Sequence, residues 1–134
     1  MMDFAVSLNS PVVIRYPRGG EDAEVKFKSH AKIELGKAEV LQEVKNLENR
    51  TKEVTIIAIG KMVARAMDIG QKLQDKMDVE VIIARFLKPL DNNTIIESIK
   101  TTKNVITIED GTIINGLATA VKELIVNNNL QGVR

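Results

Sequence analysis

The chain has 134 residues, 44% hydrophobic and 28% charged, which suits one packed core with at most a small appendage. Nineteen basic residues against eighteen acidic ones leave a net charge of +1, so neither a polyanion nor a membrane surface is implied as a partner. Zero cysteines exclude disulfides and thiolate metal sites, and no apolar run has the length of a membrane span or the pattern of a signal peptide, so the cytoplasm is the expected compartment.

In chain order, Met1 to Val6 reads as the last turns of a helix. Val12 to Ile14 is short, β-branched and bounded by turn residues, the pattern of a strand buried in a parallel sheet. Pro17 has no N–H and a fixed φ, so regular pairing should stop there. Arg18 is then delivered to a strand's carboxyl end, where open α/β sheets bind their ligands. Arg15 and Arg18, beside Gly19 and Gly20, suit a phosphate or carboxylate. The plainer reading of the same pair is two surface charges that end a strand. Gly19 to Lys32 is polar and aperiodic, a linker, with a domain boundary near residue 30. His30, the only histidine, lies in it without a second histidine or cysteine for a metal site.

Ala38 to Val44 carries a strand signal, Asn46 to Lys52 a turn, and Val54 to Ile59 a near-continuous apolar strand. The short connection predicts that these two strands are antiparallel neighbours. From Lys61 the period becomes helical: Met62, Ala66, Ile69, Leu73 and Met77 make one apolar stripe, read as core. Val79 to Ala84 is the next buried strand, and Asp91 is placed to cap a helix bearing Ile95, Ile96 and Ile99. Val105 to Ile108 is a strand, Leu117, Val121, Leu124 and Ile125 mark a last helix, and Gly132-Val133-Arg134 begins one more strand. Strand and helix in alternation give a parallel sheet with helices on both faces, a three-layer α/β/α fold.

Some candidate motifs fail on chemistry. Gly111 and Gly116 have the glycine spacing of a phosphate loop, but Leu117-Ala118 stands where that loop needs Lys and Ser or Thr. One tyrosine, three phenylalanines and no tryptophan offer little surface for stacking on bases. No Gly-x-Ser-x-Gly turn is present. Glu109-Asp110 ends a strand and reads as solvated loop carboxylates, and Arg85 as a structural brace or the partner of a carboxylate.

Arg15-Tyr16-Pro17-Arg18-Gly19 resembles the Arg-Tyr-Pro-Arg-Gly segment of 1-deoxy-D-xylulose-5-phosphate synthases, thiamine-diphosphate enzymes of the transketolase superfamily. Gly36-Lys37-Ala38 and Ala58-Ile59-Gly60 follow in the same order. Ala84 to Asp91 resembles the Arg-Phe-(Val/Ile)-Lys-Pro-Leu-Asp signature, and Val105 to Gly111 the Val-Thr-(Val/Ile)-Glu-(Glu/Asp) strand end. The resemblance covers almost the whole chain and corresponds to the end of the family's central domain (1–30, with the linker) and most of its C-terminal domain (31–134).

What the resemblance implies is a five-stranded, mostly parallel sheet with the first strand antiparallel. It implies an enzyme that joins pyruvate, after decarboxylation on thiamine diphosphate, to glyceraldehyde 3-phosphate, in the pathways to isoprenoids and thiamine. Thiamine diphosphate and Mg2+ would belong to the full-length enzyme. Asp110, Gly111 and Asn115 are too close together to be its Gly-Asp-Gly…Asn magnesium motif, so this chain alone is expected to be inactive and to bind no cofactor. Arg18 is carried over as a ligand of the substrate phosphate, with Arg15 as a second substrate-side residue. The implied partners are the rest of the polypeptide and a second subunit in a homodimer. Transketolases and the beta subunits of 2-oxoacid dehydrogenases end in the same type of domain, and a free-standing anion- or partner-binding module is the reading from another class.

Overall fold

A computed structural model describes residues 1–16, 31–44, 53–112 and 114–134. The elements are α1 (Met2–Ser7), β1 (Glu39–Gln42), β2 (Glu53–Ala58), α2 (Met62–Leu73), β3 (Asp78–Ile83), α3 (Asn92–Thr102), β4 (Val105–Ile108) and α4 (Leu117–Asn127). The strands lie in the order β1-β3-β2-β4, with β1 antiparallel to β3 and β2 parallel to both of its neighbours. α2 covers one face over Val54, Ile56, Val79 and Val81, while α3 and α4 cover the other over Ile57 and Ala84. The expected three-layer α/β/α fold is therefore present.

Four details depart from the sequence reading. β1 and β2 are not neighbours, because β3 lies between them. Strands apolar on both faces take the central places, and both β2 and β3 are buried along most of their length. β1 is only half-buried, carries Glu39 and Gln42, and sits at the edge with an irregular register between Val40 and Gln42. Second, Val12 to Ile14 forms no strand, and Val13 is 96% exposed. A β-branched run becomes a strand only where a neighbour offers its backbone groups and a layer covers its side chains.

Third, four strands are described rather than five, and Arg134 extends the sheet by a single step. Its carbonyl accepts from the Val105 N–H and its own N–H donates to the Lys103 carbonyl, each at 2.9 Å, on the outer edge of β4. Fourth, α2 buries Val63, Ala64, Ala66 and Gly70, with Met67 and Leu73 partly buried beside them, a face that keeps the predicted Ala66 and Leu73 but is rotated enough to leave Ile69 at the solvent border. Gly70 sets that rotation. A Cβ there would stand 3.0 Å from Val81 Cγ2 and from Gln42 Oε1, so the helix rests on β3 and β1 through its own backbone. Arg18, the predicted Gly19–Lys32 linker as far as His30, and the turn from Asn46 to Lys52 fall outside the described residues, whereas Ala31 and Lys32 at the linker's end are described.

Asp91 caps α3 as expected, accepting from the Thr94 N–H and hydroxyl, and also from the Ala38 N–H at 3.0 Å. Burial pushes its pKa up, but the hydrogen bonds from Ala38 and Thr94 and the charge of Lys37 outweigh that and hold it below the usual carboxylate value. A carboxyl group lowered on folding stabilises above its unfolded value and loses that contribution as pH falls through the folded value. The stability advantage of the wild type over Asp91→Asn should thus be full above about pH 5 and fade below about pH 4. Thermal unfolding of both proteins across pH 3–7 checks it, and a gap that does not change with pH would refute it.

Candidate cleft at the carboxyl rim of the sheet

β2 and β4 are adjacent and parallel, but the chain leaves them in opposite directions. After β2 it runs through α2 to β3, and after β4 it runs through α4 on the other face, towards the edge where Arg134 pairs. The two loops therefore diverge and open a crevice, the kind of switch point at which α/β sheets hold ligands. The crevice is a cleft of about 290 Å3 lined by Ile59, Gly60 and Lys61 after β2, Glu109, Asp110 and Gly111 after β4, and Arg15 and Tyr16 from the N-terminal segment. Gly60 makes the turn into α2 at φ +61°, a conformation that L side chains rarely adopt, with open space where a Cβ would lie.

The charges in this cleft are already engaged. Glu109 is half-buried and accepts from the Leu117 and Ala118 N–H groups at 2.9 and 3.1 Å, which caps the N-terminus of α4. It is not a solvated loop carboxylate. Its neighbour Asp110 is exposed and pairs with Lys61 Nζ at 3.1 Å. The hydrogen bond and charge of Lys61, with a smaller contribution from Arg15, hold its pKa below the ordinary value against a slight desolvation. The glycine pair that mimics a phosphate loop works differently here. Glu109 fills the helix N-terminus where a phosphate would sit, and Gly116 is required because a Cβ would stand 2.4 Å from that carboxylate.

Arg15 reaches this cleft with its guanidinium on Gly111, where a Cβ would lie 2.8 Å from Nη1. Arg18 lies outside the described residues, so the two predicted site residues are not seen together. Arg85 is away from the cleft. It forms a buried ion pair with Glu39 and donates to the carbonyls of Ala31 and Lys32, each at 3.3 Å, so it braces the start of the sheet, as its structural reading required. Sequence reasoning missed Lys61. Its only signal was a cation directly after the strand-ending Gly60.

The segments that carried the resemblance converge on the rim. Gly36, at φ +70°, packs on Pro89, and the Ala38 N–H meets Asp91, which joins Gly36-Lys37-Ala38 to Lys88-Pro89-Leu90-Asp91. Ile59-Gly60, Glu109-Asp110-Gly111 and Arg15-Tyr16 meet in the cleft. The family model described as transketolase, C-terminal domain matches residues 42–133. The chain belongs to the transketolase C-terminal domain family. It is 38% identical to a 1-deoxy-D-xylulose-5-phosphate synthase of Halothermothrix orenii over 100% of its length, and 35% identical to that of Acinetobacter baumannii over 97%. In each case it spans 20% of the relative, about a fifth of the whole synthase. Among solved structures it is similar to one described as a split gene transketolase, inactive beta4 tetramer, with a TM-score of 0.69, 33% identity and coverage of 82% of this chain and 34% of that one. The transketolase C-terminal domain of this chain thus has the fold that its motifs implied.

Proposed function

We propose that this chain is the C-terminal part of a 1-deoxy-D-xylulose-5-phosphate synthase and acts as a structural and dimer-forming portion that also supplies a substrate-phosphate arginine. The observation that carries the reading is identity of 38% and 35% to two such synthases over essentially the whole chain. The transketolase reading has one observation in its favour, the split-gene transketolase neighbour, but at 33% over less of the chain. The full-length enzyme would use thiamine diphosphate and Mg2+ to join pyruvate to glyceraldehyde 3-phosphate. The residues described here do not suit that cofactor. Among them no three His, Asp or Glu side chains stand together to hold a metal ion, and the Glu109 carboxylate at the α4 N-terminus would repel a diphosphate. Cofactor binding belongs to the rest of the polypeptide, and this chain alone makes no product.

Arg18 is the phosphate ligand in this reading, and Arg15 sets the segment that carries it. A charge-assisted contact of an arginine with phosphate contributes about 1.5–3 kcal/mol. In the full-length enzyme, Arg18→Ala is expected to lower kcat/KM for glyceraldehyde 3-phosphate by roughly ten- to a hundredfold or more. Lysine at that position should recover part of the loss, because it keeps the charge without the planar fork. Steady-state rates with glyceraldehyde 3-phosphate and with unphosphorylated glyceraldehyde isolate the effect, since the variant should lose its preference for the former. An unchanged ratio of the two acceptors would leave Arg18 as a surface charge, and turnover by this chain alone would refute the division of labour.

A further inference from the structure

Asn115, too close to Asp110 to share a magnesium motif with it, precedes Gly116 in the one Asn-Gly step of the chain. Glycine has no side chain to keep its nitrogen away from the carboxamide of the residue before it. Asn115 is exposed, has φ +58°, and its carboxamide makes no hydrogen bond among the described residues. It lies in the turn between β4 and α4, outside the helical ladder that fixes the peptides after Asn92 and Asn93 in α3. Asn104 and Asn128 are held, their amides donating to the carbonyls of Glu53, Thr102 and Leu124 at 2.8, 3.0 and 2.9 Å. A second step of the same kind on this loop, Asp110-Gly111, is protected. Cyclisation of an aspartate needs the neutral acid, and Lys61 at 3.1 Å keeps Asp110 ionised while the Arg15 guanidinium packs on Gly111.

We propose that Asn115-Gly116 is a site of spontaneous deamidation, and that its isoaspartate product releases the cap of α4. The Gly116 amide nitrogen gives its proton to solvent and attacks Asn115 Cγ. The N–Cγ bond forms, the Cγ–Nδ2 bond breaks, and Nδ2 takes a proton from solvent and leaves as ammonia. Water then opens the resulting five-membered succinimide at one of its two carbonyl carbons. Breaking the N–Cγ bond gives aspartate, and breaking the bond to the main-chain carbonyl carbon gives isoaspartate, whose backbone runs through Cβ and Cγ. Either product carries a carboxylate where an amide stood, and no oxidant or reductant takes part. Isoaspartate also lengthens the main chain by one carbon directly before Gly116, which is packed too tightly to absorb it. A single carbon added there would stand 2.4 Å from a Glu109 oxygen and 2.5 Å from the Thr112 carbonyl oxygen. A shift of Gly116 therefore parts Glu109 from the Leu117 and Ala118 N–H groups. α4 loses its N-terminal counter-charge, and Glu109 becomes a free carboxylate beside Asp110 in the cleft that both line. Aspartate at 115 adds charge without length and leaves the cap in place.

The test ages the full-length polypeptide, wild type and Asn115→Gly, in mildly alkaline buffer, with Asn115→Asp as an unaged reference. Glycine at 115 keeps the positive φ and has no carboxamide. In the wild type, the tryptic peptide of residues 104–122 should gain about one mass unit and split into isoaspartate and aspartate forms, at a rate proportional to hydroxide. Fragmentation should place the change at residue 115, and isoaspartyl methyltransferase with S-adenosylmethionine should label the first form. The Asn115→Gly peptide should keep its mass. Hydrogen exchange, read on the separately eluting isoaspartate peptide, should be faster at Leu117 and Ala118 than in unaged protein, whereas Asn115→Asp should match the unaged wild type. A wild-type peptide of unchanged mass, or a change at Asn104 in its place, would overturn the site. Isoaspartate molecules that protect Leu117 and Ala118 as well as unaged protein does would overturn the release of the cap.

Discussion

Arg85→Ala is expected to destabilise the protein by about 3–5 kcal/mol, the usual loss when one partner of a buried ion pair is removed. The side chains of Arg85 and Glu39 are 7% and 11% exposed, and Glu39 also accepts from the Ala31 N–H at 3.0 Å. Alanine at 85 would leave a carboxylate with little water to solvate it, together with two carbonyls, of Ala31 and Lys32, that lose their donor. The joint replacement Arg85→Met with Glu39→Leu should recover most of the loss, since it removes both charges and keeps the volume. Urea unfolding of the single and double variants gives the comparison. A single-variant loss below about 1 kcal/mol would mean that the pair behaves as an exposed one.

Gly116→Ala should cost about 3 kcal/mol, and for a different reason. The added methyl would lie 2.4 and 2.5 Å from the two Glu109 oxygens and 2.5 Å from the Thr112 carbonyl oxygen. The backbone oxygen cannot swing aside, and the carboxylate can move only by giving up the Leu117 and Ala118 N–H groups. Overpacking of about 1–3 kcal/mol and an uncapped helix of about 1–2 kcal/mol then add. Glu109→Ala in the same background should lower the further cost of Gly116→Ala, because it removes one of the two clashes. A double-mutant cycle read by thermal unfolding decides it. Strict additivity of the two changes would mean that the carboxylate does not hold the α4 N-terminus.

The sequence was most legible where one signal had one structural meaning. Asp91 ahead of Ile95 and Ile99 announced a capped helix, and the apolar runs of β2, β3 and β4 announced strands, because both are local patterns. It was least legible where a partner lay far along the chain. Nothing near Glu39–Gln42 says that β3, not β2, is its neighbour, since short loops favour hairpins while strand order answers to burial of the whole sheet. The α2 stripe was partly misplaced because Gly70, with no side chain to register in an apolar stripe, is the position that touches β3 and β1. At the cleft, Arg15 was singled out for its chemistry. The commitments of Glu109 and Asp110 could not be read, because they depend on where the α4 N-terminus and Lys61 come to rest. Val12 to Ile14 had a genuine strand pattern without a strand, because a β-branched pattern is only a preference and none of the described strands pairs with this segment.

The strand order has a consequence for the chain as it leaves the ribosome. Glu39–Gln42 is synthesised before Glu53–Ala58, and its true partner Asp78–Ile83 comes later still. Until then the nearest strand within reach is β2, and a hairpin with it has no place in the finished sheet, where both edges of β2 are taken by β3 and β4. β2, α2 and β3 are contiguous and can assemble from short-range contacts alone, whereas β1 must close a longer loop onto an edge that exists only afterwards. The first strand of this sheet to be made thus waits, unpaired, until the third is in place.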